Sequence, residues 1–144
     1  MIESDTIKLL RECDSGVKMG VSSIDEVMEH VKSEGLKRCL TTCKQEHRGL
    51  DREIQTLLRD YEDEGKAPSP VAKAMSYMKT EWKLANHNTD ATVADLMTDG
   101  CNMGVKSLSR YLNEYKAADE QTKDIAKRLI SSEERLAQAC RAYL

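Results

Sequence analysis

The side chains best suited to bind a metal or to react lie around one stretch, CKQEHRGL, which runs from Cys43 to Leu50. Cys39, Cys43 and His47 follow one another at intervals of four residues, so neighbouring members share a face of an α-helix. A thiolate and an imidazole on one face could bind a soft metal such as zinc. Two ligands are too few, and no paired CxxC motif completes the set. The alternative is a group of core thiols, because cysteine is among the most commonly buried residues.

The composition argues against several other classes of function. The chain has 144 residues and a formal net charge of -3, with acidic and basic residues interspersed, so it shows no basic face for nucleic acid. No apolar run approaches the roughly 20 residues of a membrane span. The acidic start, MIESDTIKLL, is unlike a signal peptide. We therefore expect a cytoplasmic protein without membrane contact, in which the five cysteines are reduced.

The elements that position these residues are long amphipathic segments, which predict an all-α fold in a single domain, residues 1–144. The first segment, capped at Ser4 or Asp5, carries apolar residues at steps of three and four and stops at Gly35. The second continues this spacing from Leu36 to Tyr61 and includes His47. The short turn between them predicts an antiparallel pair of helices.

A second helical pair follows a long connection, from about residue 63 to residue 88. Within it, Ser69 is predicted to cap a short helix, and Pro70 is predicted to be the first residue of that helix. The third long segment runs from Thr89 to about Lys116, and Asp119 can cap the fourth. Because the connection can travel the length of the helices, we expect the second and third long helices to be parallel.

Four stretches carry a resemblance to a known group of proteins: LLRECDSGVKMG, EGKAPSPVAKAMSYMKTEW, ADLMTDGCNMGVKSLSRYL and RLISSEERLAQACRAYL. In them the chain resembles an uncharacterised branch of the ferritin-like superfamily, small bacterial proteins with a domain of unknown function. The resemblance implies a ferritin-like four-helix bundle, two antiparallel hairpins joined by a long crossover that carries a short helix.

In metal-binding members of that superfamily, the first and third helices each supply a Glu, and the second and fourth each supply Glu-x-x-His. Carried onto this chain, the pattern places His47 at the second-helix histidine, but Lys44 replaces its Glu. On the fourth helix, Glu133 or Glu134 matches the Glu, and the histidine position falls on Leu136 or Ala137.

The other two helices also lack the expected carboxylates. Residue counting from the predicted turns places Gly20 and Val21 of the first helix level with His47 along the helix axis. On the third helix the same level falls at Thr98 or Cys101. The resemblance therefore implies a degraded di-metal site in a non-catalytic structural or binding protein, for which we expect no cofactor. We also expect a homo-oligomer such as a dimer, because most soluble oligomers are symmetric homo-oligomers and dimers are the commonest.

The alternative is a metal-binding or redox protein with a reduced site. Its ligands would be His47, Glu133 or Glu134, and Cys101, and its metal iron, manganese or zinc. Otherwise His47 is a core histidine, hydrogen-bonded to Ser or Glu residues of the opposite helices such as Glu133. Asp14, on the apolar side of the first helix, either has a donor, because a buried carboxylate without one is costly, or lies near the open end of the bundle and reaches water.

Five glycines lie inside the predicted helices, where each costs about 1 kcal/mol relative to alanine. By residue counting they fall near the height of His47. Their presence predicts either close approach of the helix backbones or a small internal cavity that could hold a ligand. The five are Gly16, Gly20, Gly49, Gly100 and Gly104.

Overall fold

Every regular element of the molecule is helical in the computed structural model, which describes residues 2–144. The predicted all-α class is confirmed. The helices are α1 (Ile2–Met28), α2 (Glu34–Asp60), α3 (Pro70–Asn86), α4 (Asp90–Glu114) and α5 (Glu120–Cys140), followed by a 3-10 turn at Arg141–Tyr143. Across residues 2–144, no helix combines the length and the apolar character that a membrane span requires.

Four helices, α1, α2, α4 and α5, pack side by side in the cyclic order α1, α2, α5, α4. Polar pairs show that α2 and α5 are antiparallel, because Glu53 binds Arg128 whereas Glu46, earlier on α2, binds Arg135, later on α5. A short turn also makes α4 and α5 antiparallel. It follows that α2 and α4 point in the same direction, and the connection containing α3 spans the length between them.

The core consists of two apolar clusters, one toward each end of the helices. The cluster near the α1–α2 turn contains residues of all four helices, among them Ile24, Leu40, Met97 and Leu136. The cluster at the opposite end contains Val17, Leu50, Leu108 and Leu129. The positions between the two clusters are Gly20, His47, Gly104 and Glu133. A thin layer of polar and glycine residues therefore crosses the centre of the apolar core.

The start of α1 differs from the prediction, because the helix begins at Ile2 rather than after a cap at Ser4 or Asp5. The Asp5 carboxylate instead accepts a hydrogen bond from the backbone N–H of Ala117 at 3.0 Å, and Thr6 Oγ1 accepts one from Asp119 at 2.8 Å. These side chains hold the α4–α5 turn against α1, and are not available to cap their own helix.

The prediction that Gly35 ends α1 is wrong. The helix ends at Met28, Ser33 caps α2, and Gly35 lies in the first turn of α2. A Cβ at this glycine would collide with the hydroxyl of Tyr143. The glycine is therefore explained by the close packing of the chain's C-terminal turn and not by a left-handed helix end.

Asp14 anchors the beginning of the long connection. It is fully buried, and its carboxylate accepts hydrogen bonds from Lys18 Nζ at 2.9 Å, Gln55 Nε2 at 2.8 Å and the Lys66 backbone at 2.9 Å. Of the two predicted alternatives, a donor to the carboxylate is confirmed. Gly65, with φ +80°, turns the chain directly over this carboxylate, and in this backbone conformation glycine costs least.

The helix predicted in the connection is present as α3, with Ser69 as its cap and Pro70 at its first position. It contacts α1 and α4. Of its residues, Thr80 and Leu84 are buried, and most of the others are exposed.

Candidate functional site

The centre of the molecule holds a buried pair of ionisable side chains, His47 of α2 and Glu133 of α5. His47 is 1% exposed and Glu133 is 7% exposed. His47 Nε2 lies 3.4 Å from Glu133 Oε1, and His47 Nδ1 lies 2.9 Å from the carbonyl oxygen of Cys43. Because a carbonyl only accepts, Nδ1 carries a proton, and Nε2 faces an oxygen of the Glu133 carboxylate. The predicted contact of His47 with Glu133 is confirmed.

Two glycines make room for this pair on the facing helices. A Cβ on Gly20 of α1 would lie 2.8 Å from His47 Cδ2 and 2.9 Å from Nε2. A Cβ on Gly104 of α4 would lie 2.9 Å from Glu133 Cδ and would collide with its Oε2. The space that these glycines leave is therefore filled by the imidazole and the carboxylate.

The other three glycines inside helices do not belong to this layer, contrary to the register estimated from the sequence. A Cβ on Gly16 or Gly49 would make only an ordinary contact, at 3.8 Å, with Leu129 and Arg52 respectively. Nothing lies within 4 Å of a Cβ on Gly100, which is exposed. Counting residues gives the height of each glycine but not the side of the helix on which it lies.

A chain of polar contacts joins the pair to the surface between α2 and α5. Ser132 Oγ lies 3.4 Å from His47 Nδ1 and 3.6 Å from Cys43 Sγ, and it donates to Glu46 Oε1 at 3.1 Å. The other oxygen of Glu46 accepts from Arg135. The sequence carries a signal for Ser132, which lies at helical spacing between Leu129 and Leu136 and so falls on the apolar side of the last helix. Nothing in the sequence singled out Glu46.

The surroundings of His47 favour its protonated form. Burial lowers the pKa of His47, but the contacts with Cys43 and Glu133 outweigh burial and raise it from 6.5 to about 10. At neutral pH the residue is therefore an imidazolium paired with a carboxylate. An imidazolium donates from both nitrogens and has no free lone pair, so in this state it is neither a general base nor a metal ligand.

Burial also makes the thiols around this layer poor nucleophiles. It raises the pKa of Cys101 strongly, and the negative charge of Glu133 adds to the effect. The pKa of Cys140 rises to about 11 through burial and the neighbouring Cys39 and Cys43. Because the thiolate is the reactive form, these thiols remain protonated and inert at neutral pH.

The remaining predicted site residues lie apart from the pair or contribute in another way. Glu134 is exposed and points away from the core, so Glu133 alone takes the position that the sequence left open between them. Lys44 binds Asp25 of α1. Cys101 is buried on α4, where it belongs to the apolar cluster near the α1–α2 turn.

The donors at the centre do not match a two-metal carboxylate site. Such a site takes oxygen ligands from all four helices, whereas α1 and α4 present Gly20 and Gly104 to the pair. Within residues 2–144, no group of three or more His, Cys, Asp or Glu side chains is arranged to hold a metal ion. No family model, curated protein or solved structure matches the chain.

Proposed function

We propose that the chain is a non-catalytic ferritin-like four-helix bundle that acts as a structural or binding protein. The observation that carries the proposal is the direct pairing of His47 with Glu133, in the space left by Gly20 and Gly104. Groups that bind a substrate or a metal need a free lone pair or an open space. Here each ionisable group is directed at the other, and together they fill the layer.

The pair has a structural role in this proposal. It stands at the height where metal-binding relatives are expected to hold their ions, and its opposite charges tie α2 to α5 between two apolar clusters. Buried ion pairs contribute little net stability compared with apolar packing, but they can fix one alignment of neighbouring helices over its alternatives. The polar layer would thus select the register of α5 on α2.

The second candidate is the metal-binding or redox protein with a reduced site of His47, Glu133 and Cys101. It is supported by the approach of His47 Nε2 to Glu133 Oε1 at 3.4 Å and by the burial of Cys101 on α4, the helix that faces Glu133 at Gly104. Iron, manganese or zinc would have to displace the protons from the imidazole and the thiol, so its binding would strengthen as the pH rises.

Metal analysis distinguishes the two candidates. The chain is purified without a histidine tag or chelator, loaded with iron, manganese or zinc, dialysed and analysed for metal, beside His47→Ala and His87→Ala variants. His87, exposed at the end of α3, is the matched control for adventitious binding. We expect no stoichiometric metal in any of the three proteins. Stoichiometric metal that His47→Ala loses and His87→Ala retains would overturn the proposal in favour of the second candidate.

A further inference from the structure

The outward face of α3 is a continuous apolar stripe. Val71, Met75, Met78 and Trp82 follow one another at steps of four, three and four, which places them on one side of the helix. Their exposed fractions are 68%, 66%, 69% and 68%. Apolar residues scattered singly on a surface are ordinary, but four in a row at coiled-coil spacing form a patch that requires an explanation.

The packed face of the same helix is more polar than its exposed face. Thr80 and Leu84 are the buried residues, Ser76 is half-buried beside them, and Lys83 reaches Asp95 of α4 at 3.4 Å. A helix that only covered the side of the molecule would place its methionines and tryptophan inward. The orientation of α3 is therefore the reverse of what burial within one chain would favour.

We propose that a second copy of this chain covers the stripe, with the two α3 helices packed antiparallel about a twofold axis. This pairing matches large residues with small ones. It sets Val71 opposite Trp82 of the second copy, and Met75 opposite Met78, so that the widths of the layers are similar. Parallel pairing would oppose Trp82 to itself and Val71 to itself, leaving one layer overfilled and another empty.

The area of the stripe is sufficient for a dimer. Its four side chains, each about two-thirds exposed, together present on the order of 500 Å² per copy. Two copies would therefore bury roughly 1,000 Å² of apolar surface, which reaches the size that distinguishes a specific interface from an incidental contact.

The charges beside the stripe are compatible with this partner. Antiparallel pairing brings Lys79 beside Ala72 of the second copy, and Glu81 beside Ala74, so no like charges meet across the interface. An anionic bilayer is the other surface that an exposed apolar helix could bind. The formal net charge of -3 of the whole chain opposes that attachment, whereas α3 itself carries three lysines and one glutamate, so binding to vesicles is measured as the alternative outcome.

Two methionines with the same exposure provide the test. Met78 on the stripe and Met103 on α4, outside it, are both 69% exposed. In sedimentation experiments we expect a wild-type dimer of twice the 16.3 kDa chain mass. Met78→Glu should weaken dimerisation about 100-fold, because it buries unpaired charges, while Met103→Glu leaves it unchanged. Far-UV circular dichroism confirms that each variant is folded.

Mixing variants tests the antiparallel arrangement and remains informative if a single variant behaves poorly alone. Met75→Lys chains mixed with Met78→Glu chains should regain a dimer, because the new opposite charges face each other. A wild-type chain that stays monomeric at high micromolar concentration overturns the proposal, as does equal dissociation by Met103→Glu. A monomer that binds phosphatidylcholine–phosphatidylglycerol vesicles, and loses that binding in Met78→Glu, would identify a lipid surface as the occupant instead.

Discussion

Replacing Gly104 by alanine tests whether this glycine exists to accommodate Glu133. The new Cβ would lie 2.9 Å from Glu133 Cδ and would overlap its Oε2. The carboxylate must therefore shift, and because Glu133 is only 7% exposed we expect the shift to disturb its 3.4 Å contact with His47. The substitution thus tests the central contact without altering either partner.

The magnitude follows from two opposing effects. Losing a hydrogen bond between charged groups costs about 1.5–3 kcal/mol of unfolding free energy. Replacing a glycine inside a helix by alanine gains about 1 kcal/mol. We therefore expect Gly104→Ala to destabilise the protein by about 0.5–2 kcal/mol.

Gly100→Ala is the matched control, since Gly100 lies one turn earlier on α4 and nothing is within 4 Å of its added Cβ. That variant should stabilise the protein by about 1 kcal/mol. Urea unfolding monitored by circular dichroism at neutral pH measures both changes. The expected result is that the free energy of unfolding falls for Gly104→Ala and rises for Gly100→Ala, although both residues lie on α4.

A second background checks the mechanism. In a Glu133→Ala protein the collision is absent, so Gly104→Ala should become stabilising by about 1 kcal/mol. If Gly104→Ala stabilises the wild-type chain as much as Gly100→Ala does, or if its effect is the same in both backgrounds, the assignment of Gly104 to the pair is refuted.

Three further predictions concern buried groups. Gly65→Ala should destabilise the protein by about 2–3 kcal/mol in urea unfolding, because φ is +80° and the Cβ would overlap Asp14; a neutral effect would contradict the anchoring of the connection. The raised pKa of His47 contributes stability that is fully present below pH 6.5 and is lost as the pH rises through about 10. The stability advantage of wild type over His47→Gln should therefore shrink between these pH values, and a constant or growing advantage would argue against an imidazolium. In the folded protein, Ellman's reagent should modify one thiol rapidly, that of the half-buried Cys39, and the other four only after unfolding; several rapid thiols would contradict the packing of the core.

Much of the helical organisation could be predicted from the sequence because the signals are local. The caps Ser69 and Asp119 are short-range features, and both were identified correctly. The burial of His47 followed from its place in an apolar repeat. The caps at the start of α1 were misassigned because Asp5 is used by the α4–α5 turn, a contact with residues more than a hundred positions away.

The candidate site was only partly predictable. Residue counting brought His47, Gly20 and Glu133 to one height, but it could not separate Glu133 from Glu134, since adjacent residues differ by about 100° around a helix. Nor could it show that Gly104, and not Gly100, faces the pair. These distinctions depend on the rotation of each helix about its own axis, which is determined by packing with the other three.

The protonation state of His47 tests the proposed structural role of the pair, because an imidazolium held by Glu133 has no lone pair to offer a metal. Nitrogen-15 NMR of the imidazole, recorded across a pH titration of the metal-free protein, reports both ring nitrogens. We predict that both are protonated at neutral pH and that the transition occurs near pH 10. A neutral imidazole at pH 7.5, with Nε2 unprotonated, would contradict the proposed role of the His47–Glu133 pair.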